Sequence, residues 1–174
     1  MNHALRPIAT EHSLADERLR LLRLRFGLAC VERVRHLLEA PRAVDLLDVL
    51  QAYVDGRVDG ATLHAAAVEA AQLAAHHRGS ASIDGAKHSA VSATYAVANA
   101  LAGRALDAAD YAAYSTVYGY GSYAVNDADS FAPEYAWQVA ELQRLIQASQ
   151  GTTKPREIMR LPSRSTAPLD HSPD

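Results

Sequence analysis

Residues 61–113 read ATLHAAAVEA AQLAAHHRGS ASIDGAKHSA VSATYAVANA LAGRALDAAD YAA, with 21 alanines in 53 positions. Alanine loses no side-chain entropy on entering a helix and heads the propensity scale. It is also small enough to let helix backbones approach closely. The stretch decides the fold class: all-α, close-packed, with little room for catalytic apparatus.

Within it, Asp59 can cap a helix from Ala61 to about His77, closed by Gly79-Ser80. Asp84 can cap a second over Gly85 to Ala102, with Gly103 as a left-handed terminator. Asp107 starts a third, reaching Tyr118 and toward Ala124. Upstream, Pro41 suits the first position of a helix ending at Asp55-Gly56, with Val44, Leu47, Leu50 and Val54 on one face. Ser13 followed by Asp16 reads as the start of a long first helix. Leu21, Leu24, Leu28, Val31 and Leu38 give it helical periodicity, and it stops near Ala40 because Pro41 disfavours helical geometry before it. Ser130 caps the last helix, Phe131 to Ala148. No segment alternates with period two. The expectation is a single-domain bundle of about six helices over 13–150. Residues 1–12 are expected to be flexible, and 151–174, with Pro155, Pro162, Pro168 and Pro173, disordered.

The 174 residues carry a net charge of −3, unevenly placed. Residues 1–60 hold nine basic and nine acidic side chains; residues 61–150 hold four and eight. Without a basic excess, nucleic-acid binding is excluded as an expectation. The acidic second half suits a basic protein. Cys30 is the sole cysteine, so no internal disulfide forms and a reducing compartment fits. No apolar run reaches the roughly 18–20 residues of a membrane span, and the first ten residues lack a secretory core. The cytoplasm is the expected location.

Candidate chemistry is sparse. His64, His76, His77 and His88 lie around the middle of the alanine block with Glu69 nearby, but the Glu-x-x-His pattern of di-iron bundles is absent. Helix-end histidines commonly meet terminal carbonyls. Neither a metal nor another cofactor is expected. Cys30 falls within an apolar helix face, where a lone cysteine is ordinarily packing. Gly119-x-Gly121 lacks the context of a phosphate loop.

Tyr111, Tyr114 and Tyr118 sit at i, i+3 and i+7, one stripe of one helix, with Tyr120, Tyr123 and Tyr135 close behind. Asp107, Asp110, Asp127 and Asp129 share the region. The stripe reads either as filler beside small alanines, with hydroxyls reaching water, or as a tyrosine-and-carboxylate patch docking on a basic protein surface. The candidate partner-binding set is Asp107, Asp110, Tyr111, Tyr114, Tyr118, Asp127 and Asp129.

Cys30-Val31-Glu32-Arg33-Val34, then Glu39, Pro41, Val49-Leu50-Gln51-Ala52-Tyr53 and Gly56, followed by Ala65-Ala66-Ala67 and Ala70-Ala71, resembles the alanine-rich, all-helical immunity proteins of bacterial toxin systems. The resemblance spans about 18–102; Tyr53 stands where Trp is commoner, and the segment after Asp107 has no counterpart. It implies a non-enzymatic protein that binds and occludes a co-produced toxin. Two other readings stay open: a metal- or small-molecule-binding enzyme or accessory using the histidines, and a self-associating module with the stripe as a homodimer interface.

Overall fold

The computed structural model describes residues 1–77 and 86–151. The chain is all-α. Among the described residues seven helices form one bundle: α1 (Leu5–Glu11), α2 (Arg20–Glu32), α3 (Pro41–Val54), α4 (Gly60–His76), α5 (Ala86–Leu101), α6 (Ala105–Tyr118) and α7 (Ala132–Gly151). Among the described residues no strand occurs, and no helix is long and apolar enough to cross a membrane.

The terminators act as their chemistry dictates. Gly56 and Gly103 adopt φ of 73° and 72°. Each donates its N–H two residues behind the cap while the next residue closes the wider loop, as in Gly103 N to Ala100 O and Arg104 N to Asn99 O. Asp59 accepts from Thr62 N at 2.8 Å, capping α4, and Pro41 opens α3. Asp84, expected to cap α5, lies outside the described residues, as does the tail past Gly151 that was expected to be disordered.

The first forty residues depart from expectation. Residues 1–12 are not a loose arm but carry α1, with Asn2 and Leu5 buried. Ser13 does not start a helix; it ends one. Its φ of 50° is left-handed, Ser13 N donates to Thr10 O, and Leu14 N donates to Ala9 O. Serine thus occupies the position glycine usually takes, which hid the stop. Asp16 caps a 3₁₀ turn, Glu17–Leu19, by accepting from Arg18 N. The expected single helix to Ala40 ends at Glu32 and gives way to a second 3₁₀ turn, Arg35–Leu37. That tighter winding brings i and i+3 into line, so Val34 and Leu37 both reach the core. Ser130, expected as a cap, instead donates to Asp127 within a 3₁₀ turn, Ala128–Phe131, and α7 follows.

Helix α5 packs against α2, α3, α4 and α6, and α7 lies against α2 and α6. Small residues make this possible. A Cβ on Gly27 would sit 3.1 Å from the Ala100 Cβ and 3.2 Å from its Cα. Leucines from the other helices (Leu24, Leu46, Leu47, Leu50, Leu63) and Phe26 fill the remaining volume. Cys30 is fully buried, and burial pushes its thiol well above the usual range, so it is packing.

One ion pair ties α7 to the end of α2. Glu134 is 3% exposed and receives Arg33 bidentately, Nε to both carboxylate oxygens at 3.1 and 3.0 Å and Nη2 to Oε2 at 2.8 Å. The guanidinium also lies 4.2 Å from the centre of the Trp137 ring. Because Glu134 is buried and Arg33 half-exposed, the two are not equivalent. Arg33→Met strands a carboxylate away from water and is expected to cost about 3 kcal/mol, whereas Glu134→Met leaves a cation that water can reach and costs about 1 kcal/mol or less. Urea unfolding of the two variants checks the order.

Gly27 gives a second expectation. Gly27→Ala gains about 1 kcal/mol of helix propensity, but its Cβ presses on the Ala100 Cβ and backbone Cα, so a net loss of about 1 kcal/mol is expected. Gly27→Val overpacks the α2–α5 crossing and loses about 1–3 kcal/mol. Thermal and denaturant melts read both.

Candidate functional site

Alanine turned inward sets tyrosine outward on α6. Ala105, Ala108, Ala109, Ala112, Ala113, Ser115 and Val117 are buried, so the opposite face carries Tyr111, Tyr114 and Tyr118. Each ring leans on a neighbour. Tyr111 stacks on Tyr95 of α5 at 5.1 Å, and Tyr114 meets the edge of Phe131 at 5.0 Å. Tyr118 lies 5.3 Å from His88 and 6.2 Å from Tyr114, and Phe131 stacks on Tyr135 at 5.4 Å. The stripe is therefore half platform and half surface: Tyr111 and Tyr114 are 38% and 37% exposed. Such rings are held in place without being hidden.

Beyond α6 the chain forms a small annex. Ala113, Val117, Ala124 and Phe131 make a second apolar cluster, with Val125 and Tyr135 against it. It seats the loop that exposes Tyr120 (63%) and Tyr123 (77%). Gly121 has φ of +120°, and a Cβ there would fall 2.9 Å from the Tyr123 ring, so the turn needs glycine. Asp127 accepts from Asp129 N and Ser130 Oγ, both at 3.1 Å, shaping the turn while remaining exposed. Asp129 is exposed beside it.

The seven candidate residues do not form one site. Tyr111, Tyr114 and Tyr118 share a face, and Asp127 and Asp129 lie on the segment packed against its C-terminal end. Asp107 is about three helical turns away from Tyr118, roughly 16 Å at 1.5 Å per residue. There it sits 4.0 Å from Arg104, beside a groove of about 740 Å³ lined also by Arg6, Leu14, Arg23 and Leu106. Asp110 is half-buried and turned to the N-terminal segment. It accepts from Asn2 N at 3.0 Å, while Asn2 Nδ2 donates to Tyr135 O and Gln138 Oε1, and Gln138 Nε2 donates to Ala109 O. That network ties the N-terminus, α6 and α7 together. Burial, reinforced by the Asp110 charge, pushes the Tyr135 phenol up to about 12.

The histidines do not gather. His64 is exposed on α4, His76 Nδ1 bonds to Gln72 O at 2.7 Å as a helix-end contact, and His88 faces Tyr118. Glu69 is engaged by Arg42 at 2.6 Å. Among the described residues no three His, Cys, Asp or Glu side chains converge in a way that would hold a metal. Tyr95, Tyr120 and Tyr123 belong to the aromatic surface, yet the spacing that revealed the stripe could not reach them. Tyr95 comes from a different helix, and the other two follow a glycine that ends the period. No protein family, curated protein or solved structure matches the chain.

Desolvation raises the Asp110 carboxyl above its ordinary value, and the Met1 amino group 3.9 Å away offsets only part of this. A raised folded-state pKa favours the fold at low pH, and that advantage fades as pH rises through it. Asp110→Asn keeps an acceptor for Asn2 N without the charge; its melting temperature at pH 7 is expected to equal or exceed the parent's. Asp110→Ala removes the acceptor and is expected to lose about 1–3 kcal/mol. Melts of both at pH 3.5 and pH 7 check the sign.

Proposed function

We propose that the chain is a non-enzymatic protein-binding module of the immunity type, which uses the tyrosine face of α6 and the loop after it to cover a basic surface of a cognate toxin. One observation carries the reading. Among the described residues, four of the seven large hydrophobic side chains that stand exposed are Tyr111, Tyr114, Tyr120 and Tyr123. They lie in a stretch, residues 105–143, with six carboxylates and no lysine or arginine.

Tyrosine adds large contact area for few rotatable bonds, and here Tyr95 and Phe131 have already ordered two of the rings. Binding then costs less side-chain entropy than a loose surface would. Asp127 and Asp129 add negative field at one end of the face, which steers a basic partner and raises its rate of encounter. Asp107 stands at the far end as a rim charge, and Asp110 serves the fold beneath. The toxin is blocked by coverage, with no bond made or broken. The sequence resemblance to alanine-rich immunity proteins points the same way.

The test uses the product of a neighbouring toxin gene. Tyr111→Ala and Tyr114→Ala together, with Asp129→Asn, are expected to weaken capture about 100-fold or more, as loss of paired anchors does. Protection of toxin-expressing cells should fail while the variant remains folded by circular dichroism at the assay temperature. Undiminished protection by this variant would reject the face.

A further inference from the structure

At the C-terminal end of the stripe lies a cavity of about 490 Å³, lined by His36, Glu39, Tyr118, Gly119, Tyr120 and Gly121 among others. We propose that this cavity receives the cationic end of an arginine or lysine side chain from the docked protein. The identity of the occupant rests on the docking reading above; the chemistry rests on the cavity.

Two tyrosines and one glutamate line it together. Tyr118 is held by His88 on one side and Tyr114 on another, so its ring is positioned before anything binds. Tyr120 stands at the rim, 63% exposed. The negative faces of such rings attract a cation, and the attraction grows as water is displaced. Gly119 and Gly121 contribute backbone without side chains, which leaves the space open.

Glu39 supplies the charge. The acids near it along the chain are spent: Glu32 and Asp48 bind Arg35, and Asp45 binds Arg42. Glu39 is exposed and has no hydrogen bond or ion pair among the described residues. Arg42 and Arg35, three and four residues away in sequence, are held by Asp45 and Glu69 and by Glu32 and Asp48, and neither pairs with it. An uncompensated carboxylate beside two tyrosine faces selects a cation over a neutral or anionic group. Guanidinium fits best, since its planar fork can stack on a ring and bond to the carboxylate together.

The experiment needs no partner. The full chain is titrated with N-acetyl-arginine amide, and backbone amide shifts are followed by NMR, with N-acetyl-citrulline amide as the uncharged twin. Saturable shifts centred on Glu39 and residues 119–121 are expected, half-complete at roughly 1–10 mM, as for a few weak contacts. Citrulline should bind at least several-fold more weakly. Glu39→Gln and Tyr120→Ala, both surface changes that keep the melting temperature, should each weaken the arginine probe several-fold, and Asp129→Asn should not. Equal response to citrulline, shifts centred elsewhere, or no saturation would overturn the proposal. Because the probe replaces the toxin, failure here leaves the docking face standing, and failure of toxin protection leaves the probe result standing.

Discussion

Everything in this molecule follows from how closely α5 can lie against α2 and α6. The crossing with α2 works because Gly27 has no Cβ where Ala100 sits. The crossing with α6 is closed by reciprocal bonds, Ser89 Oγ to Ser115 O at 2.5 Å and Ser115 Oγ to Ser89 O at 2.8 Å. Each hydroxyl is buried, and each finds a backbone carbonyl on the facing helix, so the close approach leaves no polar group unserved. Among the described residues, no fully buried side-chain polar atom lacks a partner. Interiors are packed to crystal density, so axes this close exclude any larger side chain from the seam.

The same constraint makes a surface. A helix that buries alanine at nearly every inward position places its bulk elsewhere, and on α6 that bulk is tyrosine. Had the inward face carried leucine, α6 would stand farther from α5, and Tyr111 would not rest on Tyr95. The annex of Ala124, Phe131 and their neighbours extends the arrangement past the helix end and holds the glycine-bearing loop at the cavity beside Glu39. Packing, in this sense, is what positions the candidate interface.

Much of this was legible in the residues alone. Gly56, Gly103, Asp59 and Pro41 have strong local preferences, and each marks the boundary its chemistry implies. Ser13 hides its stop because serine favours helix starts, whereas its left-handed φ and the Leu14 N bond to Ala9 O make it end one. The stripe was visible because 111, 114 and 118 lie within one helix, where period alone decides the face. The tie of Asp110 to the N-terminal segment is illegible in sequence because its partner, Asn2, lies more than a hundred residues away. Glu39 and Tyr120 share a cavity for the same non-local reason, and no spacing rule could pair them.

The central claim is that a rigid α5–α6 seam presents the tyrosine face. Native-state hydrogen exchange measures it most directly, because amides exchange at the free energy of the opening that exposes them. The account predicts that amides of residues 93–101 and 109–117 exchange only through global unfolding, while those of α1 and residues 119–130 open earlier. Exchange along α6 as fast as along α1 would contradict it, since the tyrosines would then stand on a helix that opens on its own.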